Sequence, residues 1–191
     1  MLILRELRPA FSLVVLFTVF TGFLLPEAFT GAVQLALPFQ ANGSLLTQNG
    51  QVVGSAIIGQ NFTAAKYFAP RPSALSTAYD ASTSGASNLA PTSAALLTSV
   101  QQRVAAYIKA YGPGPVPADA VTASGSGLDP DISTANALRQ APAVAAARHL
   151  STPTVVNLVN QMTHHAAFGI VGTDHVNVLQ LNLALDQLPA T

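Results

Sequence analysis

The pattern of hydrophobic and polar positions separates a long apolar N-terminal stretch from a mixed remainder. No charged residue falls between Arg8 and Glu27, and the apolar character resumes from 28 to 39. A transmembrane helix needs about 20 apolar residues, and the first run reaches this length if the helix continues through Pro26. Because proline removes a backbone hydrogen bond, we predict a kink there. We therefore expect a membrane anchor with one transmembrane helix at residues 1–40.

Two arginines, Arg5 and Arg8, stand just before this apolar run. Positive charge is typical of the cytoplasmic end of a membrane helix. The pattern therefore predicts a single-pass protein with a cytoplasmic N-terminus and an extracytoplasmic soluble domain at 41–191. A cleaved signal peptide is the alternative, but no small-x-small cleavage site follows the apolar run closely, so a retained anchor is favoured.

Beyond residue 41, strand-like and helix-like periodicities follow each other. Two apolar, β-branched runs flank Asn49-Gly50, which is a strong hairpin signal. Thr92 to Tyr111 predicts a helix capped by Thr92 or Ser93, because apolar residues recur at helical spacing: Leu96, Val100, Val104, Ile108 and Tyr111. The remaining segments predict helices at 134–141, 142–149 and 151–163, a buried strand at about 175–180 and a last short helix.

These elements define the expected fold class, which is α/β. The N-terminus supplies a single transmembrane helix. The rest of the chain is expected to form one small α/β sandwich domain that contains a β-hairpin and several helices.

Composition narrows the classes of function. Charged residues make up only 8% of the chain and the formal net charge is zero, against roughly 25% charged residues in a typical soluble domain. No basic patch is dense enough to bind a phosphate backbone, which argues against nucleic-acid partners. Such a charge-poor surface suggests that the lipid bilayer and partner subunits cover part of it. The absence of cysteine excludes disulfides and thiolate metal sites.

The stretch VTASGSGLDPDIS, from Val121 to Ser133, carries the most suggestive polar residues. One alternative function is a membrane-anchored extracytoplasmic serine hydrolase that uses Ser124 or Ser126 with His175 and Asp129. The nucleophile elbow Gly-x-Ser-x-Gly is missing around both serines. A structural loop explains the stretch better, with Asp131 or Ser133 capping the following helix.

Metal and solute binding have weaker support. Neither lysine follows a glycine, so no phosphate-binding loop of the Gly-Lys-Ser/Thr type is present. His164 and His165 are adjacent, and we expect them to point in different directions on a helix. Six aspartates are spread along the soluble domain without the dense oxygen cluster that calcium needs. We predict no metal site, and an anchored solute-binding module remains an alternative.

Several stretches, in this order after an apolar anchor, resemble the C subunit of the Kdp high-affinity potassium-transporting ATPase. They are ANGSLL (41–46), GSAIIGQNF (54–62), YFAPRPSA (67–74), SGASNLAPTS (84–93), VPADAVTASGSGLDPDIS (116–133), QAPAVAAAR (140–148) and VNVLQLNLALD (176–186). The resemblance covers essentially the whole chain. The sequence departs from the family at Ala86 and Ala90, where glycine is common, and at Ala143, where arginine is usual. Arg148 is retained.

The resemblance implies a non-catalytic accessory subunit of an ATP-driven, high-affinity potassium uptake pump in a bacterial or archaeal cell membrane. Its partners would be a channel-like potassium-translocating subunit, a P-type ATPase subunit and a small hydrophobic subunit. The family is described as a catalytic chaperone that raises the ATP affinity of the ATPase subunit, and it is expected to stabilise the assembly. Because a domain outside the cell cannot reach cytoplasmic ATP, this influence would pass through the partner subunits.

Polar residues in the matched loops are the candidate partner contacts. They are Arg71, Ser87, Asn88, Ser126 and Asp129. Each of them could instead stabilise only its own turn, and the two interpretations stay open. No catalytic residue is assigned, and ATP is the only cofactor that the resemblance suggests.

Overall fold

A computed structural model describes residues 2–189 of the chain, and these form two compact units that meet in sequence between Leu45 and Leu46. The first unit is helical. Its segments are α1 (Leu2–Val19), a π-helical turn (Phe20–Leu24), α2 (Leu25–Ala36) and the short α3 (Pro38–Ala41). Arg5–Ala36 runs for 32 residues with a mean hydropathy of 1.9 over its apolar window. By length and composition, this helix can cross a membrane.

The helix continues through Pro26, as the apolar pattern predicts. A π-helical turn lies just before this residue, in which the Leu25 N–H donates to the Phe20 carbonyl, and the kink stays a prediction. A proline ring clashes with the carbonyl of the residue four positions earlier. The wider turn lets the chain continue past the ring without ending the helix.

The second unit contains both helices and strands, which confirms the α/β class; the sandwich arrangement stays a prediction. A hairpin of β1 and β2 precedes a three-stranded antiparallel sheet in the order β3-β5-β4. The elements in chain order are β1 (Leu45–Gln48), β2 (Gln51–Ser55), α4 (Ala94–Tyr111), α5 (Ala118–Val121), β3 (Asp131–Ser133), α6 (Thr134–Ala147), α7 (Thr152–Gln161), β4 (Thr163–His164), β5 (His175–Asn177) and α8 (Val178–Asp186).

The predicted hairpin around Asn49-Gly50 is confirmed. The two turn residues have φ of +52° and +77°. Positive φ at both central positions defines the type I′ turn, whose twist matches that of the strands it joins. Asparagine and glycine are the residues that reach this conformation at least cost.

The hydrophobic core lies where α6, α7 and α8 pack around the three-stranded sheet. Leu181 and Leu185 of α8 are fully buried in it, as is Val176 of the central strand. The other members are small or β-branched residues together with one aromatic ring: Phe68, Ile132, Ala137, Ala141, Val144, Ala145, Val155, Val159 and Val178.

One continuous helix, α6, replaces the two helices predicted at 134–141 and 142–149. Proline in a helix interior costs about 3 kcal/mol, yet α6 runs through Pro142. Its buried alanines and Val144 hold both halves against the core. Pro142 itself is exposed, and so is Leu138, whose carbonyl loses its helical partner and can meet water. Tertiary packing therefore outweighs the local preference.

Three further predictions need correction. Helix α7 ends at Gln161, so His164 lies in strand β4 and the pair His164-His165 is not helical. Ile108, predicted on the apolar face of α4, is 38% exposed, and the neighbouring Tyr107 is buried instead. The last strand ends at Asn177, because the Asn177 side chain accepts a hydrogen bond from the Gln180 N–H and caps α8.

Candidate functional site

The loop that contains Ser124 and Ser126 is held in shape by hydrogen bonds to its own serine hydroxyl groups. Ser124 is buried, and its Oγ accepts hydrogen bonds from the backbone N–H groups of Gly127, at 3.0 Å, and Ser126, at 3.2 Å. The Ser126 Oγ accepts from the Leu128 N–H at 3.1 Å and lies 3.1 Å from the Ser124 Oγ. Both hydroxyls thus serve as turn acceptors.

The arrangement needed by the serine hydrolase alternative is not formed by these residues. Among the described residues, the hydrogen-bond partners of the two serine hydroxyls are backbone groups and each other. His175 donates from Nδ1 to the Thr173 carbonyl at 2.8 Å, and its Nε2 faces Asp131 at 4.0 Å. Asp129 instead pairs with an arginine. A nucleophile needs its base within hydrogen-bonding reach, and this site does not provide one.

This loop, residues 124–129, contacts three other stretches of the chain: residue 59, 71–75 and 84–85. We call the four stretches together the loop junction. The Pro72 carbonyl accepts from the Ser124 N–H at 3.0 Å, and the Ser73 Oγ donates to the Gly127 carbonyl at 2.8 Å. The Ser126 carbonyl accepts from the Gly85 N–H at 2.9 Å. Four of the seven sequence blocks that carry the family resemblance are therefore brought together in space.

Two glycines allow the chain to pass closely at the loop junction. Gly127 has a φ of +73°, and a Cβ there would lie 2.6 Å from the Leu75 Cγ. At Gly59 a Cβ would lie 2.5 Å from both the Asp129 carbonyl oxygen and the Tyr79 ring. Separations below 3 Å would require the neighbouring atoms to shift, so a side chain at either position would disturb the junction.

An ion pair between Arg71 and Asp129 lies at the edge of the junction. The Arg71 Nη1 is 2.6 Å from the Asp129 Oδ2, and both side chains are about three-quarters buried, at 24% and 26% exposure. Tyr79 donates from its hydroxyl to the Arg71 carbonyl at 2.8 Å, and burial raises the pKa of this tyrosine. The pair links segments 58 residues apart and fixes their relative position.

The five candidate contact residues thus divide into two groups. The structure brings Arg71, Ser126 and Asp129 together in the loop junction. Ser87 and Asn88 follow the segment 84–85 and are exposed, and Asn88 has a φ of +50°. Partner contact by these five residues stays a prediction, while the first three also have the structural role that was the alternative.

A cleft of about 740 Å³ opens beside the ion pair, and carboxylates dominate its polar lining. Asp119 is satisfied internally, since it accepts from the Ser133 N–H, the Ser133 hydroxyl and the Asn136 amide at 2.8–3.0 Å. The charged and titratable residues of the lining are Arg71, Asp119, Asp129, Asp131, Asp174 and His175. This excess of negative charge favours a positively charged group of a partner over an anion.

Asp131 is a carboxylate of the cleft whose pKa is shifted by its surroundings. Burial raises its pKa, while the Asn177 amide, which donates to its Oδ1 at 3.0 Å, and the nearby His175 act in the opposite direction. The His175 ring stacks on the His164 ring with centroids 5.4 Å apart. Among the described residues, no group of three His, Asp or Glu side chains is placed to hold a metal ion.

Sequence reasoning missed the residues that hold the segment 67–74 in place. Asn182 accepts from the Phe68 N–H at 2.9 Å and donates to the Phe68 carbonyl at 3.1 Å. Gln140 makes the same pair of bonds to Ala69, at 2.8 and 3.1 Å. We call these two side chains the amide clamp. Their signal in the sequence is an amide within an otherwise apolar helix face, since both are buried.

The amide clamp continues into a buried polar network. Gln140 donates from Nε2 to the Asn136 Oδ1 at 3.0 Å, and the Tyr107 hydroxyl donates to the same oxygen at 2.9 Å. Asn136 in turn donates to Asp119 at 3.0 Å. Buried polar groups are tolerated because each finds a partner. The network ties helix α4, helix α6 and the cleft to the segment that carries Arg71.

An apolar helix long enough to span a membrane, followed in sequence by an α/β unit whose loops interlock, is the architecture of a membrane-anchored protein. Comparison with known proteins specifies it further. The family model described as "K+-transporting ATPase, c chain" (KdpC) matches residues 7–187. The chain belongs to this family, and the resemblance noted in the sequence is confirmed.

Curated relatives share almost the full length of the chain. The "Potassium-transporting ATPase KdpC subunit" of Mycobacterium tuberculosis (strain H37Rv) is 54% identical over 187 residues, which is 96% of this chain and 99% of the relative. The protein of the same name from Acidobacterium capsulatum is 50% identical over 185 residues, covering 97% and 100%. That from Gemmatimonas aurantiaca is 50% identical over 190 residues, covering 98% and 96%. The prediction of an ATPase subunit rather than an enzyme on its own is thereby confirmed.

Proposed function

We propose that this chain is the anchored accessory subunit of an ATP-driven, high-affinity potassium uptake pump, and that it stabilises the assembled complex. The observation that carries this proposal is the family match over residues 7–187. The structure supports it, because four of the matched blocks meet at the loop junction, where the Ser124 and Ser126 hydroxyls bond to backbone groups and to each other rather than to a base. Its partners would be a channel-like potassium-translocating subunit, a P-type ATPase subunit and a small hydrophobic subunit.

The orientation of the anchor follows from charge. Arg5 and Arg8 lie at the N-terminal end of the candidate span, which supports a cytoplasmic N-terminus and a second unit outside the cell membrane. Protease treatment of a C-terminal tag in intact spheroplasts and in lysed cells measures this orientation. Digestion in intact spheroplasts is expected, whereas protection until lysis would reverse the assignment.

The proposal includes a catalytic chaperone role, in which the subunit raises the ATP affinity of the ATPase subunit. With the second unit outside, this effect must be an energetic coupling through the partner subunits. A contact can shift a pump cycle only if its affinity differs between two states of the cycle. The expected result is a lower apparent ATP affinity in a complex that lacks this subunit, with no ATP bound by the isolated chain.

The function itself is tested by deletion and by co-purification. A strain without other potassium uptake routes should lose growth at very low potassium when this chain is removed, and a plasmid copy should restore it. A tagged chain should also recover the channel-like and ATPase subunits from detergent-solubilised membranes. Normal growth of the deletion strain, with the rest of the pump intact, would refute the proposed function.

A further inference from the structure

The loop that joins β4 to β5 exposes three large hydrophobic side chains at its tip. Phe168 is 96% exposed, Ile170 84% and Val171 64%. We call these three residues the apolar knob. Single exposed hydrophobic residues are common on proteins, whereas a contiguous group of them marks an interaction surface.

The apolar knob has a preformed shape. Ala167 and Val171 exchange two backbone hydrogen bonds of 2.8 and 3.0 Å across the loop, and the Gly169 N–H donates to the Ala166 carbonyl at 3.0 Å. Phe168 has a φ of +55°, a conformation that aromatic residues rarely adopt. Backbone of this kind costs free energy and persists only where the surrounding structure holds it in place, and it is often found at functional sites. The loop therefore presents its aromatic ring outward before any partner arrives.

Hydrogen bonds to the Asp174 carboxylate join the two ends of this loop. Asp174 accepts from the Ala166 N–H at 3.0 Å and from the His165 Nδ1–H at 2.9 Å. These two hydrogen bonds hold the pKa of Asp174 below its ordinary value, so the group is charged at neutral pH. Asp174 and the neighbouring Thr173 also line the carboxylate-rich cleft. The apolar knob thus stands directly beside a negatively charged wall.

The charge pattern around the apolar knob favours a protein over a membrane as its binding partner. Surfaces that insert apolar residues into a bilayer surround them with lysine and arginine, which anionic lipids attract. After Arg148 the chain contains neither lysine nor arginine, and Asp174 adjoins the apolar knob. This pattern opposes an anionic bilayer and complements a protein surface with an apolar socket beside a basic side chain.

We propose that the apolar knob inserts into an apolar socket on a partner subunit of the same pump, and that a lysine or arginine of that subunit meets the carboxylates of the adjacent cleft. This inference rests on the proposed function, because the partner is taken from the assembled pump. Aromatic residues centred on such an interface supply a large share of its binding energy.

Site-specific photo-crosslinking in the assembled pump tests the insertion. The photoreactive amino acid p-benzoylphenylalanine replaces Phe168 in the full chain, expressed with its partner subunits, and membranes are irradiated before solubilisation. Leu97, which is 60% exposed on α4, carries the same probe as the matched control. An adduct with a pump subunit, identified by mass spectrometry, is expected from position 168 and not from 97.

The outcomes separate this inference from the proposed function. If the pump co-purifies but position 168 gives no adduct, only lipid adducts, or the same adduct as position 97, the inference is wrong and the proposed function stands. If the unmodified chain recovers no pump subunit, both are wrong.

Two pairs of substitutions test the apolar and the charged halves of the surface. Ile170→Asp should lower recovery of the partner subunits about tenfold or more, while Leu97→Asp leaves recovery nearly unchanged. Thr173→Lys should reduce recovery several-fold because it adds positive charge to the wall, whereas Thr173→Gln keeps the parent level. Circular dichroism of each variant checks that it is folded. Equal recovery for Ile170→Asp and Leu97→Asp contradicts insertion, and equal recovery for both Thr173 variants contradicts the basic partner group.

Discussion

Replacement of Asn182 by alanine should strongly destabilise the second unit, because this side chain satisfies both backbone groups of a fully buried residue. The Phe68 N–H and C=O bond to the Asn182 amide at 2.9 and 3.1 Å, and the two residues are 0% and 1% exposed. Alanine leaves one buried donor and one buried acceptor without partners. Each such group costs about 1–3 kcal/mol, so the expected loss in free energy of unfolding is about 2–6 kcal/mol.

The assay is urea unfolding of the full chain in detergent micelles, followed by tyrosine fluorescence. The chain has four tyrosines and no tryptophan, and all the tyrosines lie between 67 and 111, so the signal reports on the second unit. Asn157→Ala is the matched control, since Asn157 is exposed on helix α7. It should change the free energy of unfolding by less than about 0.5 kcal/mol.

The reasoning would be refuted by a loss below about 1 kcal/mol for Asn182→Ala, or by equal effects of the two substitutions. Amide hydrogen exchange supplies an independent readout. The Phe68 amide should be protected in the parent chain and should exchange much faster in Asn182→Ala, because its acceptor is gone.

Three further predictions use the same unfolding assay. Gly127→Ala should lower the free energy of unfolding by more than about 1 kcal/mol, because a Cβ at φ +73° meets the Leu75 side chain. Gly125→Ala should not, because its Cβ would point into open space. Pro142→Ala should raise stability by about 1–3 kcal/mol, because it restores an interior hydrogen bond of α6, and no gain would contradict this view of the helix. Asp131→Asn should stabilise the fold at neutral pH. Burial raises the pKa of Asp131 in the folded state. The stability linked to binding of its proton is therefore present below the ordinary pKa, about 4, and is lost as the pH rises through the folded value. The advantage of asparagine should vanish below about pH 4, and a pH-independent difference would exclude this cause.

Local features of the sequence determined the first unit and the hairpin. A long uncharged run favours a helix in a membrane whatever the rest of the chain does. The Asn49-Gly50 turn is similarly local, because its positive φ values depend on the two residues themselves. The order of the matched blocks also sufficed for the family. The apolar run, the turn and the order of the blocks can all be read from neighbouring residues or from the linear order of the chain.

The tertiary structure decided which polar residues meet. Arg71 and Asp129 were both chosen from the sequence, but their pairing across 58 residues was not predicted. Asn182 bonds to Phe68 across 114 residues, and nothing near either position indicates it. Such pairs form because the packed core brings distant segments together and then requires every buried polar group to have a partner. Packing also carried α6 through Pro142, since the burial of its neighbours outweighs the local cost of one missing hydrogen bond.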